Sequence, residues 1–142
     1  MLWKREPDTG QLQLTMQGTL LGHLGLTIEG IGDDWISVRM PVDERTIQPY
    51  GILHGGASVA LAESLGSLAS VLCIDDPSTH TPVGVEINAN HLRPVPKGRF
   101  VIGMLSPIRI GRRMHVWNIE IRDPEERLVC VSRLTIMIVA RD

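Results

Sequence analysis

The stretch that follows His54-Gly55-Gly56 and runs to Leu72 constrains the fold more than any other part of the chain. It consists of Ala, Ser, Val, Leu and Gly, and Glu63 is its one charged residue. Such a stretch is long enough for a helix, but a surface helix would carry charged residues along its outer side. A helix that is apolar or small on every side is covered on more than one side. We therefore predict a central helix with two covered faces.

Helical spacing assigns these two faces. One stripe is predicted to pack on a sheet, and Glu63 points the opposite way among small side chains. Small side chains let a second backbone approach closely, and two-fold dimers are the commonest oligomers, so we expect a second copy of the chain on the Glu63 face. The predicted sheet-facing stripe is Ala57, Leu61, Leu65, Leu68 and Leu72, and the predicted neighbours of Glu63 are Val59, Ala60, Gly66, Ser67 and Ser70.

The segments around this helix have strand patterns. A short helix is predicted after Asp8, with Gly18 near its end, and a hairpin around Gly32-Asp33-Asp34. Beyond a loop rich in Asp, Pro, Ser and Thr, residues 83–93 alternate as a strand, with Val83, Val85, Ile87, Ala89 and His91 on one face. Three long strands follow at 99–110, 114–123 and 127–140. We predict a single α+β domain, residues 1–142: a curved antiparallel sheet around one long central helix.

Composition and charge exclude several classes of function. A net charge of −2 gives no basic field for nucleic acid. The first ten residues lack the apolar run of a signal peptide, and we expect neither a membrane span nor an export signal, hence a cytoplasmic protein. Cys73 and Cys130 stand alone and are expected to be reduced core residues. The histidines show no ligand spacing, so no metal site is predicted.

The start of the helix is a candidate site for a developing negative charge. First-turn N–H groups are unpaired and lie at the positive end of the helix dipole, and glycine leaves them unshielded. Gly55 and Gly56 occupy this position, with Gln48 and His54 beside it. The alternative is a turn whose glycines relieve backbone strain, with Gln48 and His54 holding the loop.

Glu63 is the candidate acid or base. A buried carboxylate is costly unless it is hydrogen-bonded or used in catalysis, so it either fixes the register of an interface or takes part in a reaction. Gly55 and Glu63 are eight residues apart, about 12 Å along a helix axis. One small reacting group cannot contact both within a chain. If both act on one carbonyl, they come from different subunits.

The run Gln48-Pro49-Tyr50-Gly51-Ile52-Leu53-His54-Gly55-Gly56-Ala57, with Ala62-Glu63-Ser64 after it, resembles the hotdog-fold acyl-CoA thioesterases. The similarity is greatest to the Glu-dependent branch with 4-hydroxybenzoyl-CoA and 1,4-dihydroxy-2-naphthoyl-CoA thioesterases and the proofreading thioesterase of enterobactin synthesis. It extends over IGDDW, MPVDERT, GVEINANHLRP, VWNIEI and SRLT. The resemblance implies a hotdog fold, hydrolysis of aromatic and also aliphatic acyl-CoA, no cofactor beyond the CoA of the substrate, and a homotetramer built as a dimer of dimers.

The resemblance also implies residue roles. The Gly55 N–H would polarise the thioester carbonyl, with Gln48 and His54 in support, and Glu63 of the partner subunit would act as nucleophile or general base. Ser67 would position water or the carboxylate, and Leu68 would line the acyl pocket. The residues implied for CoA binding are Gly84, His91, Leu92, Arg93, Pro94, Arg109, Ile110, Gly111, Arg112 and Arg113.

Rival chemistries lack their motifs. The G-x-S-x-G elbow of serine hydrolases is missing, and so is the Asp-x-Asn-Pro-x-His stretch of hydratases that share the hotdog fold. A non-catalytic acyl-CoA-binding protein remains the alternative. It would need the pocket but not Glu63, so the carboxylate favours an enzyme.

Overall fold

The computed structural model describes all 142 residues, Met1–Asp142. Six strands form one antiparallel sheet in the order β1-β2-β4-β5-β6-β3. The long helix α3 contacts β2, β3, β4, β5 and β6, so the sheet wraps around it. This is the predicted α+β hotdog architecture, which is confirmed. The elements are α1 (Thr9–Thr15), α2 (Leu20–His23), β1 (Thr27–Ile31), β2 (Ile36–Pro41), α3 (Gly55–Cys73), β3 (His80–His91), β4 (Phe100–Ile110), β5 (Met114–Arg122) and β6 (Leu128–Ala140).

The core lies between α3 and the sheet. Leu61 and Leu65 of the helix are fully buried, as are Leu105, Trp117 and Leu134 of the strands beneath them. Burial of side chains of this size contributes roughly 1.5–3 kcal/mol each, which makes this layer the main stabilising contact of the fold. It holds α3 as a rigid element, so residues at its start and middle have fixed positions.

The buried side of α3 is broader than the predicted stripe, and the prediction is wrong at two positions. Gly66 and Ser70 are buried against the sheet and do not flank Glu63, whereas Leu68 is partly buried and packs against the core as predicted. The small residues allow the sheet to approach closely, since a Cβ on Gly66 would lie 2.3 Å from Cδ2 of Leu134. The buried surface of α3 therefore includes the leucine stripe and also the adjacent side of the helix, which carries Ala62 and Ala69.

Ser70 is accepted in this core because it is fully hydrogen-bonded. Its Oγ accepts a hydrogen bond from Trp117 Nε1 (2.8 Å) and lies 3.0 Å from Nδ1 of the buried His115. A buried hydroxyl without partners would be destabilising, whereas this arrangement links α3 to β5 through polar groups.

Two details of the peripheral elements differ from expectation. The N-terminal region contains two short helices, and Gly18, with φ of 72°, separates them. In β3 the predicted alternation breaks at Val85, because the pairing with β6 shifts register between Gly84 and Glu86. Val83 and Ile87 therefore point to opposite faces. The hairpin of β1 and β2 and the strands β4, β5 and β6 are confirmed.

The expectation that no segment could span a membrane also needs correction. By length and composition, α3 is apolar enough to do so. Core helices of globular domains have the same character, and half of the most apolar window of α3 is buried inside this fold.

Candidate active site

The N-terminus of α3 offers one free backbone donor. His54 is the N-cap, and its Nδ1 accepts a hydrogen bond from the Gly56 N–H at 2.8 Å. The neutral ring therefore carries its proton on Nε2. Gly55 is the first helical residue, and its N–H makes no hydrogen bond within the chain. This N–H points out of the positive end of the helix dipole, as an oxyanion donor must.

A pocket of about 390 Å³ opens beside this donor. Gln48 belongs to a tight loop in which its side-chain oxygen accepts a hydrogen bond from the Tyr50 N–H, so the side-chain NH₂ remains available as a donor. The His91 ring packs on Gly55, where an added Cβ would lie 2.9 Å from Nε2. The structure thus brings together six of the predicted site residues: Gln48, Gly55, His91, Leu92, Arg93 and Pro94, with Ile52, Leu53, Ser58 and Val129 completing the lining.

Glu63 lies in a second, separate groove of about 270 Å³. Its carboxylate makes no hydrogen bond or ion pair within the chain, whereas the neighbouring Ser64 donates to the Ala60 carbonyl at 2.6 Å. The predicted Ser67 and Leu68 line this groove with Glu63, and the hydroxyl of Ser67 has no partner in the protomer. Ser64 also lines the groove, which is completed by Leu21 and Val71.

Sequence reasoning missed these last two residues. Val71 lies four positions after Ser67 and three after Leu68, so it neighbours both of these predicted residues on the helix surface, a spacing that could have identified it. Leu21 comes from α2, an element that was not predicted. The two residues add apolar side chains to the lining of the groove that contains the carboxylate.

Gly84 lies under Glu63, away from the residues at the end of β3 that were predicted to bind CoA with it. A Cβ at Gly84 would lie 2.6 Å from Oε1 of Glu63. The glycine of an edge strand is therefore in direct contact with the candidate acid or base.

The pocket at Gly55 and the groove at Glu63 share no residue in one protomer. Gly55 and Glu63 are eight residues apart on the 19-residue helix α3, which separates them by about 12 Å along its axis. A single chain therefore presents two halves of a site: an electrophilic half, which is the Gly55 N–H with its pocket, and an acidic half, which is Glu63 with its groove. The two halves of one chain cannot contact the same small group.

The predicted residues of the β4–β5 turn lie apart from both halves. Arg109, Arg112 and Arg113 are exposed and form no ion pair. Arg112 and Arg113 border a cavity of about 770 Å³ with His80 and the end of β6. The other predicted residues of this turn, Ile110 and Gly111, line a neighbouring cavity of about 520 Å³ together with His115.

The two cysteine thiols are not competing nucleophiles. Burial raises the pKa of Cys73 to about 11 and also raises the pKa of Cys130, so both thiols are protonated at neutral pH. Burial lowers the pKa of His115, and a hydrogen bond to the Gly111 backbone partly offsets this effect. No three His, Cys, Asp or Glu side chains come together as a metal site.

Comparisons with known proteins identify relatives of this chain. Residues 50–130 match the model of the thioesterase superfamily. The chain is 49% identical over 139 residues to the 1,4-dihydroxy-2-naphthoyl-CoA hydrolase of Escherichia coli, covering 98% of this chain and 100% of that protein. It is 45% identical to the proofreading thioesterase EntH of Cronobacter sakazakii, covering 98% and 99%. A crystal structure of a thioesterase from Haemophilus influenzae superimposes with a TM-score of 0.93 at 49% identity, covering 99% and 96%.

Proposed function

The chain belongs to the thioesterase superfamily, and we propose that it hydrolyses aromatic acyl-CoA thioesters, and aliphatic ones as well, to the free acid and CoA. It is a thioester hydrolase acting on acyl-CoA. The observation that carries the proposal is the pair of unpaired groups on one helix: a free N–H at Gly55 and a carboxylate without a partner at Glu63.

In the proposed mechanism, the Gly55 N–H donates to the thioester carbonyl oxygen and stabilises the negative charge that develops there. Gln48, which lines the same pocket, and His54, the N-cap of α3, would support this oxygen with the side-chain NH₂ and the Nε2–H as additional donors. Both donors are free, because Gln48 Oε1 accepts the Tyr50 N–H and His54 Nδ1 accepts the Gly56 N–H.

Glu63 of the partner subunit completes the site. Its carboxylate either attacks the thioester carbon, expelling CoA thiolate and forming an anhydride that water then cleaves, or takes a proton from water as that water attacks. Ser67 holds the water or the carboxylate. Leu21, Leu68 and Val71 surround the acyl group, whose aromatic character is inferred from the name of the Escherichia coli relative.

A dimer with antiparallel α3 helices supplies this arrangement twice. Two features of the protomer favour it. The outer edge of β3 has no strand partner and exposes Val83 and Val85. The outer face of α3 carries the small residues Ala60, Ser64 and Ser67 beside Glu63. A dimer of dimers is the proposed full assembly, and the exposed Met104 and Met114 on the sheet favour a further contact.

The nucleotide end of CoA needs cations for its phosphates. We assign this role to Arg109, Arg112 and Arg113, whose guanidinium groups are exposed and free of carboxylates, with Gly111 between them permitting close backbone approach. His91, Leu92, Arg93 and Pro94 would contact the pantetheine arm beside Gly55.

The test is release of free thiol from a panel of aromatic and aliphatic acyl-CoAs, repeated with Glu63→Ala. The proposal expects turnover on aromatic thioesters and its loss in the folded variant. Binding of every substrate without cleavage would replace it with a non-catalytic acyl-CoA-binding protein, and full turnover by Glu63→Ala would refute the mechanism.

A further inference from the structure

Gly84 is a glycine that the backbone conformation does not require. Its φ lies outside the left-handed region, unlike those of Gly18, Gly25, Gly51 and Gly98. The reason for glycine here is space, because a Cβ would lie 2.6 Å from Oε1 of Glu63 and 3.6 Å from its Cδ. Real Cβ atoms do not approach so closely, so any other residue would displace the carboxylate.

A β-bulge next to Gly84 orients this contact. Gly84 pairs with Ile136 and Glu86 pairs with Thr135, so Val85 is the extra residue. The bulge lets Gly84 and Ile87, three residues apart, both face α3, whereas a regular strand would turn one of them away. The glycine and its bulge are thus placed so that bare backbone faces Glu63.

Nothing else in the protomer holds the carboxylate. Glu63 accepts no hydrogen bond from its own chain, so within the protomer its direction is set by the surface against which it packs. We propose that Gly84 is a positioning residue for the reaction: its missing side chain lets the Glu63 carboxylate lie against β3 and so sets its approach to the thioester. This inference rests on the proposed function and gives Gly84 a role other than contacting CoA.

The experiment is a double-mutant cycle in which kcat and KM are measured separately. Gly84→Ala should lower kcat by about 10- to 100-fold with KM little changed, because displacing a reacting group by ~1 Å costs rates of this order. Glu63→Asp shortens the side chain by one methylene and removes the clash. We expect Glu63→Asp to recover part of the lost kcat in the Gly84→Ala background while lowering kcat in the wild-type background.

Gly66→Ala is the matched control, because it also crowds the helix–sheet contact but meets Leu134 at 2.3 Å and not the carboxylate. It should lower the thermal midpoint, and Glu63→Asp should not rescue it. A rise in KM at unchanged kcat for Gly84→Ala would overturn the inference in favour of a CoA contact. The inference would also be overturned if the kcat losses of Gly84→Ala and Glu63→Asp simply multiply in the double variant, so that Glu63→Asp recovers none of the lost kcat.

If Glu63→Asp is inactive in both backgrounds, the crystal structure of Gly84→Ala decides. Displacement of the Glu63 carboxylate from its wild-type position by about 1 Å or more supports the inference, and an unmoved carboxylate overturns it. Failure of the proposed function has a different signature, since Glu63→Ala would then retain full turnover whatever residue stands at position 84.

Discussion

Replacing Gly55 by proline removes the backbone N–H from the site, adds the three carbons of the proline ring and leaves the helix in place. Gly55 is the first residue of α3, where proline is well tolerated because its fixed φ suits the helix and its missing N–H has no intrahelical partner. His54, the preceding residue, has φ −70° and ψ 129°, which is the extended conformation that a following proline requires. The Gly55 N–H makes no hydrogen bond in the folded chain, so its loss costs no native contact.

The expected effect on catalysis is large. Removal of one preorganised oxyanion donor typically lowers kcat by about 10²- to 10³-fold, or roughly 2.7–4 kcal/mol of transition-state stabilisation. Proline also introduces a Cβ, which would lie 2.9 Å from Nε2 of His91. Gly55→Ala adds the same Cβ and keeps the N–H, so it is the matched control. His91 is exposed, so its ring has room to rotate away in both variants.

The assay is steady-state hydrolysis of an aromatic acyl-CoA, with circular dichroism and thermal unfolding to establish that both variants fold. We expect Gly55→Pro to lose kcat by the factor above relative to Gly55→Ala, with similar KM values. Equal kcat values for the two variants would show that the Gly55 N–H does not stabilise the transition state, and the assignment of the electrophilic half would be wrong.

Four further predictions concern the rest of the molecule. Glu63→Gln should lower kcat by about 10²-fold or more while changing the free energy of unfolding by less than ~0.5 kcal/mol, since Glu63 has no partner in its chain; a large loss of stability would indicate a structural carboxylate. Ser70→Ala should lower the free energy of unfolding in urea by about 2–4 kcal/mol, because Trp117 Nε1 and His115 Nδ1 would lose their buried partner; an unchanged midpoint would contradict this. Burial lowers the pKa of His115, so below the unfolded-state pKa of about 6.5 the unfolded chain binds a proton that the folded chain does not. The free energy of unfolding should therefore decrease as the pH is lowered from 7 to 5. His115→Gln should flatten this dependence. Cys73 and Cys130 should react with a thiol reagent at pH 8 at the rate of unfolding, because both are buried and protonated; fast labelling of the native protein would refute that.

The architecture was predictable because its patterns are local. Alternation in β4, β5 and β6 and the uniform apolarity of α3 follow from side-chain periodicity alone, and the helix start was marked by His54-Gly55-Gly56. The side of α3 that packs on the sheet was harder to assign. Large leucines indicated one stripe, but the small residues Gly66 and Ser70 are also buried against the strands. Ser70 is hydrogen-bonded to groups far away in sequence.

The site was predictable in part for a similar reason. Gln48 and Gly55, which were expected beside each other, line one pocket. The His91–Pro94 segment lines the same pocket, although it was expected with Gly84 and the Arg109–Arg113 turn. The contact of Gly84 with Glu63 depends on the bulge at Val85, and no sequence period signals a bulge. Leu21 was missed because the four-residue helix α2 is too short to leave a pattern.

The most direct test of a site shared between subunits is complementation between two inactive variants. Gly55→Pro lacks the electrophilic half, and Glu63→Gln lacks the acidic half. If each site combines the two halves from different chains, unfolding and refolding an equimolar mixture should restore about a quarter of wild-type activity, since random pairing makes half of the dimers heterodimers and each has one intact site. Activity no higher than the mean of the separate variants would contradict the shared site.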